Sequence, residues 1–219
     1  MGQSETSLGG LLALCLAVAI PIAAAQAESA VPFELSQKFV TEHKVKSLVG
    51  PSVQVDEQGQ VSLAWMEEDK DMRSVLYARS TEPGGPMGAP VRINRPEDVP
   101  YWRQEAPALV VQGEDVFVTW GLAHPKATPQ QPFATELRLS RSTDGGKTFQ
   151  PSVAVNDDPG VIQHTFDALH RDADGRLHLS WIDGREGKKE PGTYVARSLD
   201  RGATITRNLK VDEGTCVCC

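Results

Sequence analysis

Arginine and carboxylate stand together at two places in this chain, Tyr101-Trp102-Arg103-Gln104-Glu105 and Asp183-Gly184-Arg185. A guanidinium fork holds a ligand carboxylate through two parallel N–H donors, so Arg103 and Arg185 are candidate anchors for an acidic ligand. The same fork pairs with a neighbouring carboxylate, here Glu105 or Asp183, and then merely stiffens a loop. Asp183 reads first as the cap of its own turn and second as a catalytic acid. Between the two pairs lies His164-Thr165-Phe166-Asp167. Histidine is the residue type that changes charge near neutral pH, although a solvated loop histidine is the plainer reading of His164. Asp167 adds a further carboxylate to the candidates. Tyr101 and Trp102 could stack on a sugar ring or pack an edge of the fold.

The elements that must position these residues repeat with a period of about 55–60 residues, the scale of a small supersecondary unit. Three segments superimpose, beginning at Pro51, Pro107 and Asp167. Each reads as a strand, a tight Gly turn and an alternating strand ending in Trp65, Trp120 or Trp181. A variable polar loop and a third strand follow, the latter ending in Ser80, Ser142 or Ser198. After a turn comes a fourth strand, starting at Pro90, Pro151 and Thr206. Three four-stranded antiparallel units are therefore expected, at about 51–95, 107–156 and 167–212. Helical periodicity is absent beyond the N-terminal segment, so the fold class is all-β. The three tryptophans recur in register and are read as core packing.

The turn after the third strand carries the most specific spelling. Ser142-Thr143-Asp144-Gly145-Gly146-Lys147-Thr148-Phe149 fits S-x-D-x-G-x-T-[WF]. The Asp carboxylate accepts N–H groups of its own turn, Gly146 supplies φ > 0, and Phe149 packs between strands. Ser198, Asp200, Gly202 and Thr204 repeat the pattern without the aromatic, and Ser80-Thr81-Glu82 begins a decayed copy. These residues, with Trp181-Ile182-Asp183-Gly184-Arg185, resemble the sialidase-like (Asp-box, or BNR-repeat) β-propeller superfamily, most of all exported bacterial proteins of the exo-α-sialidase type. The resemblance runs from Pro51 to Cys219. It implies a sialidase-like β-propeller of four-stranded blades that closes with six, of which this chain holds about three, an incomplete propeller. It also implies that the Asp-box turns, Asp144 and Asp200 included, lie away from the ligand face. Arg103, Glu105, His164, Asp167, Asp183 and Arg185 would gather on that face.

Sialidase chemistry, as the resemblance implies it, needs three arginines, a Tyr nucleophile assisted by Glu, and an Asp acid/base. Val91-Arg92-Ile93-Asn94 matches the family's R-I-P motif poorly, and Tyr77 and Tyr194 fall in third strands. The catalytic residues are thus unassigned. The expectation is a non-catalytic or truncated binding module for a glycan or protein, which acting alone is inactive. The alternative is a glycoside hydrolase of exo-α-sialidase type whose site needs further blades.

Composition narrows the rest. The chain has 219 residues, with 22 basic against 29 acidic side chains and a net charge of −7. There is no basic tract, which argues against nucleic acid. Leu11 to Ala25 is apolar and ends in Ala25-Gln26-Ala27, so residues 1–27 read as a signal peptide, although no Lys or Arg precedes the run. The alternative is an uncleaved membrane anchor. The mature protein is expected in the periplasm or medium, off the membrane and without a cofactor. Residues 28–50 read as an irregular lead-in with at most one strand, near Lys38–Thr41, that could close a ring. Cys216, Cys218 and Cys219 form an odd set after Cys15 leaves, read as disulfide cysteines whose partners lie beyond the end. A copper(I) or zinc thiolate site is the sharper alternative; no other metal is expected. Uncapped blade edges could also drive self-association, and a truncated chain is the expectation that follows.

Overall fold

A computed structural model describes residues 47–69, 72–101, 106–187, 191–212 and 215. The signal-peptide and lead-in strand assignments, Trp102, Arg103, Glu105 and the three C-terminal cysteines lie outside the described residues. The described chain is all-β and falls into three four-stranded antiparallel sheets. Blade 1 comprises β1 (Ser47–Val55), β2 (Val61–Asp69), β3 (Met72–Arg79) and β4 (Val91–Arg92). Blade 2 comprises β5 (Ala108–Gln112), β6 (Asp115–Ala123), β7 (Thr135–Ser142) and β8 (Val153–Ala154). Blade 3 comprises β9 (His164–Arg171), β10 (Leu177–Asp183), β11 (Gly192–Ser198) and β12 (Leu209–Asp212). Every blade runs in sequence order, each strand antiparallel to the last. First strands meet across the blades, β1 touching β5 and β5 touching β9, so they form the innermost row.

Alternation along the strands gives each blade two faces, and the core lies between blades. Ala64, Met66 and Tyr77 of blade 1 pack on Val116, Val118 and Trp120 of blade 2. Phe117, Leu137 and Leu139 of blade 2 pack on Leu177, Leu179 and Trp181 of blade 3. Trp120 and Trp181 therefore each face the preceding blade, and their indole N–H groups donate to Ser140 Oγ at 3.0 Å and Asp183 Oδ2 at 2.8 Å. Trp65 belongs to a separate buried cluster with Leu76 and Ala78.

The turns after the third strands fasten one blade to the next. Asp144 accepts from Ser142 Oγ at 2.6 Å, from Thr148 N–H at 3.0 Å and from Thr148 Oγ1 at 2.6 Å. Asp200 repeats the pattern with Ser198 Oγ at 2.8 Å, Thr204 N–H at 2.9 Å and Thr204 Oγ1 at 2.6 Å. Hydrogen bonds from the serine and threonine hold the Asp144 carboxyl well below the usual carboxylate range, and those from Thr204 and Ser198 hold Asp200 at about 2. Gly146 has φ +86°, and a Cβ there would lie 2.0 Å from Tyr77 Cε1 of the preceding blade. Gly202, with φ +76°, lies less tightly against Leu139 and Phe117, each 3.3 Å from a Cβ placed there. Gly146 is required both for the left-handed backbone and for the close approach, Gly202 for the backbone.

Fourth strands contain a second repeated device. Asn94 Oδ1 accepts the Val75 N–H at 2.8 Å, and Asn156 Oδ1 accepts the Leu137 N–H at 2.9 Å. Both side chains continue the sheet after a two-residue strand has ended, satisfying a backbone donor that would otherwise be buried alone.

Candidate functional site

The chain leaves β10 at Asp183 and enters β9 at His164, and these two residues are register partners. The connection from blade 2 into β9 brings Asp157 and Asp158 to the same end, and the start of the β10–β11 loop brings Arg185. Asp183 is fully buried. It accepts the Trp181 indole N–H, the Arg185 backbone N–H at 2.9 Å, and Arg185 Nε and Nη2 at 3.0 and 2.8 Å. Arg185 Nη1 donates to Asp157 Oδ1 at 2.8 Å, and Nη2 also reaches Asn208 Oδ1 at 3.0 Å. The guanidinium lies 4.2 Å from the centroid of the Tyr194 ring. Burial alone would lower the Arg185 pKa; the hydrogen bonds it donates to Asp183 and Asp157 outweigh it and raise it. Four of the five N–H donors of this arginine are engaged, which is the structural pairing weighed above for Arg185 and Asp183.

His164 corrects one expectation. It is not a solvated loop residue but a buried member of β9. Its N–H donates to Thr135 Oγ1 of blade 2 at 2.8 Å, and Thr135 Oγ1 donates back to the His164 carbonyl at 2.7 Å. Ring Nδ1 faces the Thr135 carbonyl oxygen, and Nε2 faces Asp158 Oδ2 at 2.7 Å. Both ring nitrogens thus meet oxygen atoms. Burial pushes the Asp158 carboxyl up, but the hydrogen bond and charge of His164, with help from Arg185, hold it at about 2.

Asp158, His164 and Asp183 bring ligand-type atoms within 4.8 Å of one another. The spacing fits protons better than a metal ion. His164 Nε2 and Asp158 share a hydrogen-bond distance, and Arg185 Nη2, 2.8 Å from Asp183 and 3.4 Å from Asp158, takes the place a cation would fill.

Asp167 stands apart from this cluster. It accepts the Thr119 hydroxyl of blade 2. Burial pushes its carboxyl up despite that bond, whereas every other described carboxyl with a resolved shift is lowered. Tyr101 is partly buried, its N–H donating to the Gly121 carbonyl at 2.7 Å.

The members of the cluster are held by their contacts with one another. Asp183 is sealed from solvent, Asp158 is ionised far below neutral pH, and Arg185 is already occupied. Tyr194 donates its hydroxyl to Glu186 at 2.8 Å. Burial and Glu186 raise its pKa, the reverse of an activated phenolate nucleophile. Sequence reasoning brought Asp183, Arg185 and His164 into view but missed Asp157, Asp158 and Asn208. The Asn156-Asp157-Asp158 run at the exit of a fourth strand was the available signal.

No family model matches the chain, and no curated protein matches it. Solved structures do. An α-L-arabinanase of Penicillium chrysogenum, solved with arabinobiose, superposes with a TM-score of 0.52 at 13% identity, covering 74% of this chain and 50% of that one. A GH93 α-L-arabinofuranosidase of Fusarium graminearum, also solved with arabinobiose, gives 0.51 at 10% identity and the same coverages, 74% and 50%. The fold is a β-propeller. A sialidase of Trypanosoma rangeli, solved with sialic acid, gives 0.49 at 14% identity over 78% of this chain and 31% of that one. At these identities the likeness shows the fold alone. The propeller chain described here spans about half the length of the first two.

Proposed function

We propose that this propeller is an exported, non-catalytic module that binds glycans. The observation that carries the reading is the closure of the Arg185 cluster. A hydrolase of this architecture needs a proton donor and an accessible carboxylate or nucleophile flanking the scissile bond. Asp183 is buried, Asp158 is held ionised at about 2, and the Arg185 fork is consumed by Asp183 and Asp157. What remains is a polar end to a propeller, and two structures that share the fold were solved with arabinobiose.

A glycosidase is the second reading, and Asp167 favours it. Burial raises the pKa of its carboxyl, the direction a general acid needs. The two readings separate by assay. The full chain is offered fluorogenic sialosides and arabinosides, and in parallel is tested for retention on immobilised oligosaccharides. Retention without turnover supports the binding module; turnover abolished by Asp167→Asn supports the enzyme. Export is tested by N-terminal sequencing of the secreted protein, with a start at Glu28 expected.

A further inference from the structure

We infer that Phe166 is the stacking platform of a subsite for an uncharged sugar ring, an inference that rests on the glycan-binding reading. The register of β9 against β10 jumps between Ser180↔Ala168 and Ile182↔Thr165, so Trp181 stands opposite both Phe166 and Asp167. At this bulge Phe166 takes φ +54°, a left-handed conformation that costs a residue with a large side chain. The residue is also 46% exposed. The other described non-glycine residue with positive φ is Arg201, whose side chain ion-pairs with Asp115. Among the described residues Phe166 shows no comparable return. Glycine would relieve its backbone, and a polar residue would suit its exposure, so contacts among the described residues explain neither choice.

A bulge re-aims side chains, and this one divides a pair. Asp167 turns inward to the Thr119 hydroxyl of blade 2, while Phe166 is left outside. The position is informative too. β9 belongs to the innermost row of strands, and Phe166 lies two residues from His164, at the blade end that holds Asp183 and Arg185. An exposed aromatic face on a rigid strand packs against the C–H face of a sugar, with polar neighbours free to meet its hydroxyls.

The charge of the ligand follows from those neighbours. The donors of Arg185 already go to Asp157, Asp183 and Asn208. Asp157 and Asp158 both have lowered pKa values, and the chain carries a net −7. Such a surface repels a sialic or uronic acid and accepts a neutral sugar.

The test uses the full chain against a panel of neutral oligosaccharides, arabinobiose among them, with sialyllactose as the acidic arm. Affinity for the best neutral sugar is then measured by calorimetry for Phe166→Gly, Phe166→Tyr and Phe166→Leu. The Gly variant should keep or raise Tm and bind about tenfold more weakly or worse, and the Tyr variant should bind like wild type. Unchanged affinity in the Gly variant overturns the inference, as does preference for sialyllactose. Should the Gly variant unfold, the Leu variant decides, because it keeps apolar bulk without an aromatic face: retained affinity overturns, and loss supports. A wild-type chain that retains no sugar refutes the glycan-binding reading itself.

Discussion

Arg185 is the residue on which the polar end of blade 3 depends. It is the shared cation of Asp157, Asp158 and Asp183, and Asp183 has no access to water. Removing one partner of a buried ionic cluster leaves uncompensated charge. Arg185→Ala should therefore cost about 3 kcal/mol in urea unfolding, and an unchanged midpoint would contradict the structural role. The same cluster fixes an acid limit. The folded Asp158 pKa of about 2 lies below its unfolded value, so its contribution is fully present above the unfolded pKa. Stability is lost as pH falls from about 4 towards 2, by up to about 2 kcal/mol. Asp158→Asn should flatten the dependence of Tm on pH across this window; an equally steep fall in the variant would sink the assignment.

At the scale of elements, the turn after the third strand is a fastener between blades. Gly146→Ala would strain a φ of +86° and drive a methyl into the Tyr77 ring, so a marked fall in Tm is expected. Asp144→Ala strips three hydrogen bonds from its turn and should lower Tm by a few degrees while leaving sugar affinity unchanged, because the turn lies at the opposite end of its blade from the Arg185 cluster. Lost affinity at unchanged Tm would show that the two ends have been exchanged. These turns were legible in the sequence because their chemistry closes within eight residues, and the blades because their landmarks recur at one period. The cluster was legible only in part. Asp183 and Arg185 are two residues apart and announce their pairing. His164 owes its burial to Thr135, 29 residues away, and Asp157 meets Asn208 across 51, separations that leave no local pattern. The bulge at Phe166 was hidden for the same reason: it exists only in the register of two strands.

For the whole molecule, the row of first strands and the closed Arg185 cluster make one rigid, polar propeller end. The fold is shared with glycosidases, but fold alone does not confer catalysis, and Asp158, Asp183 and Arg185 are engaged with one another. The most direct measurement is an array of neutral and sialylated oligosaccharides incubated with the full chain and read for both retained protein and intact glycan. The account predicts protein retained on neutral spots whose glycans stay whole. Spots that retain nothing, or glycans trimmed during incubation, would contradict it.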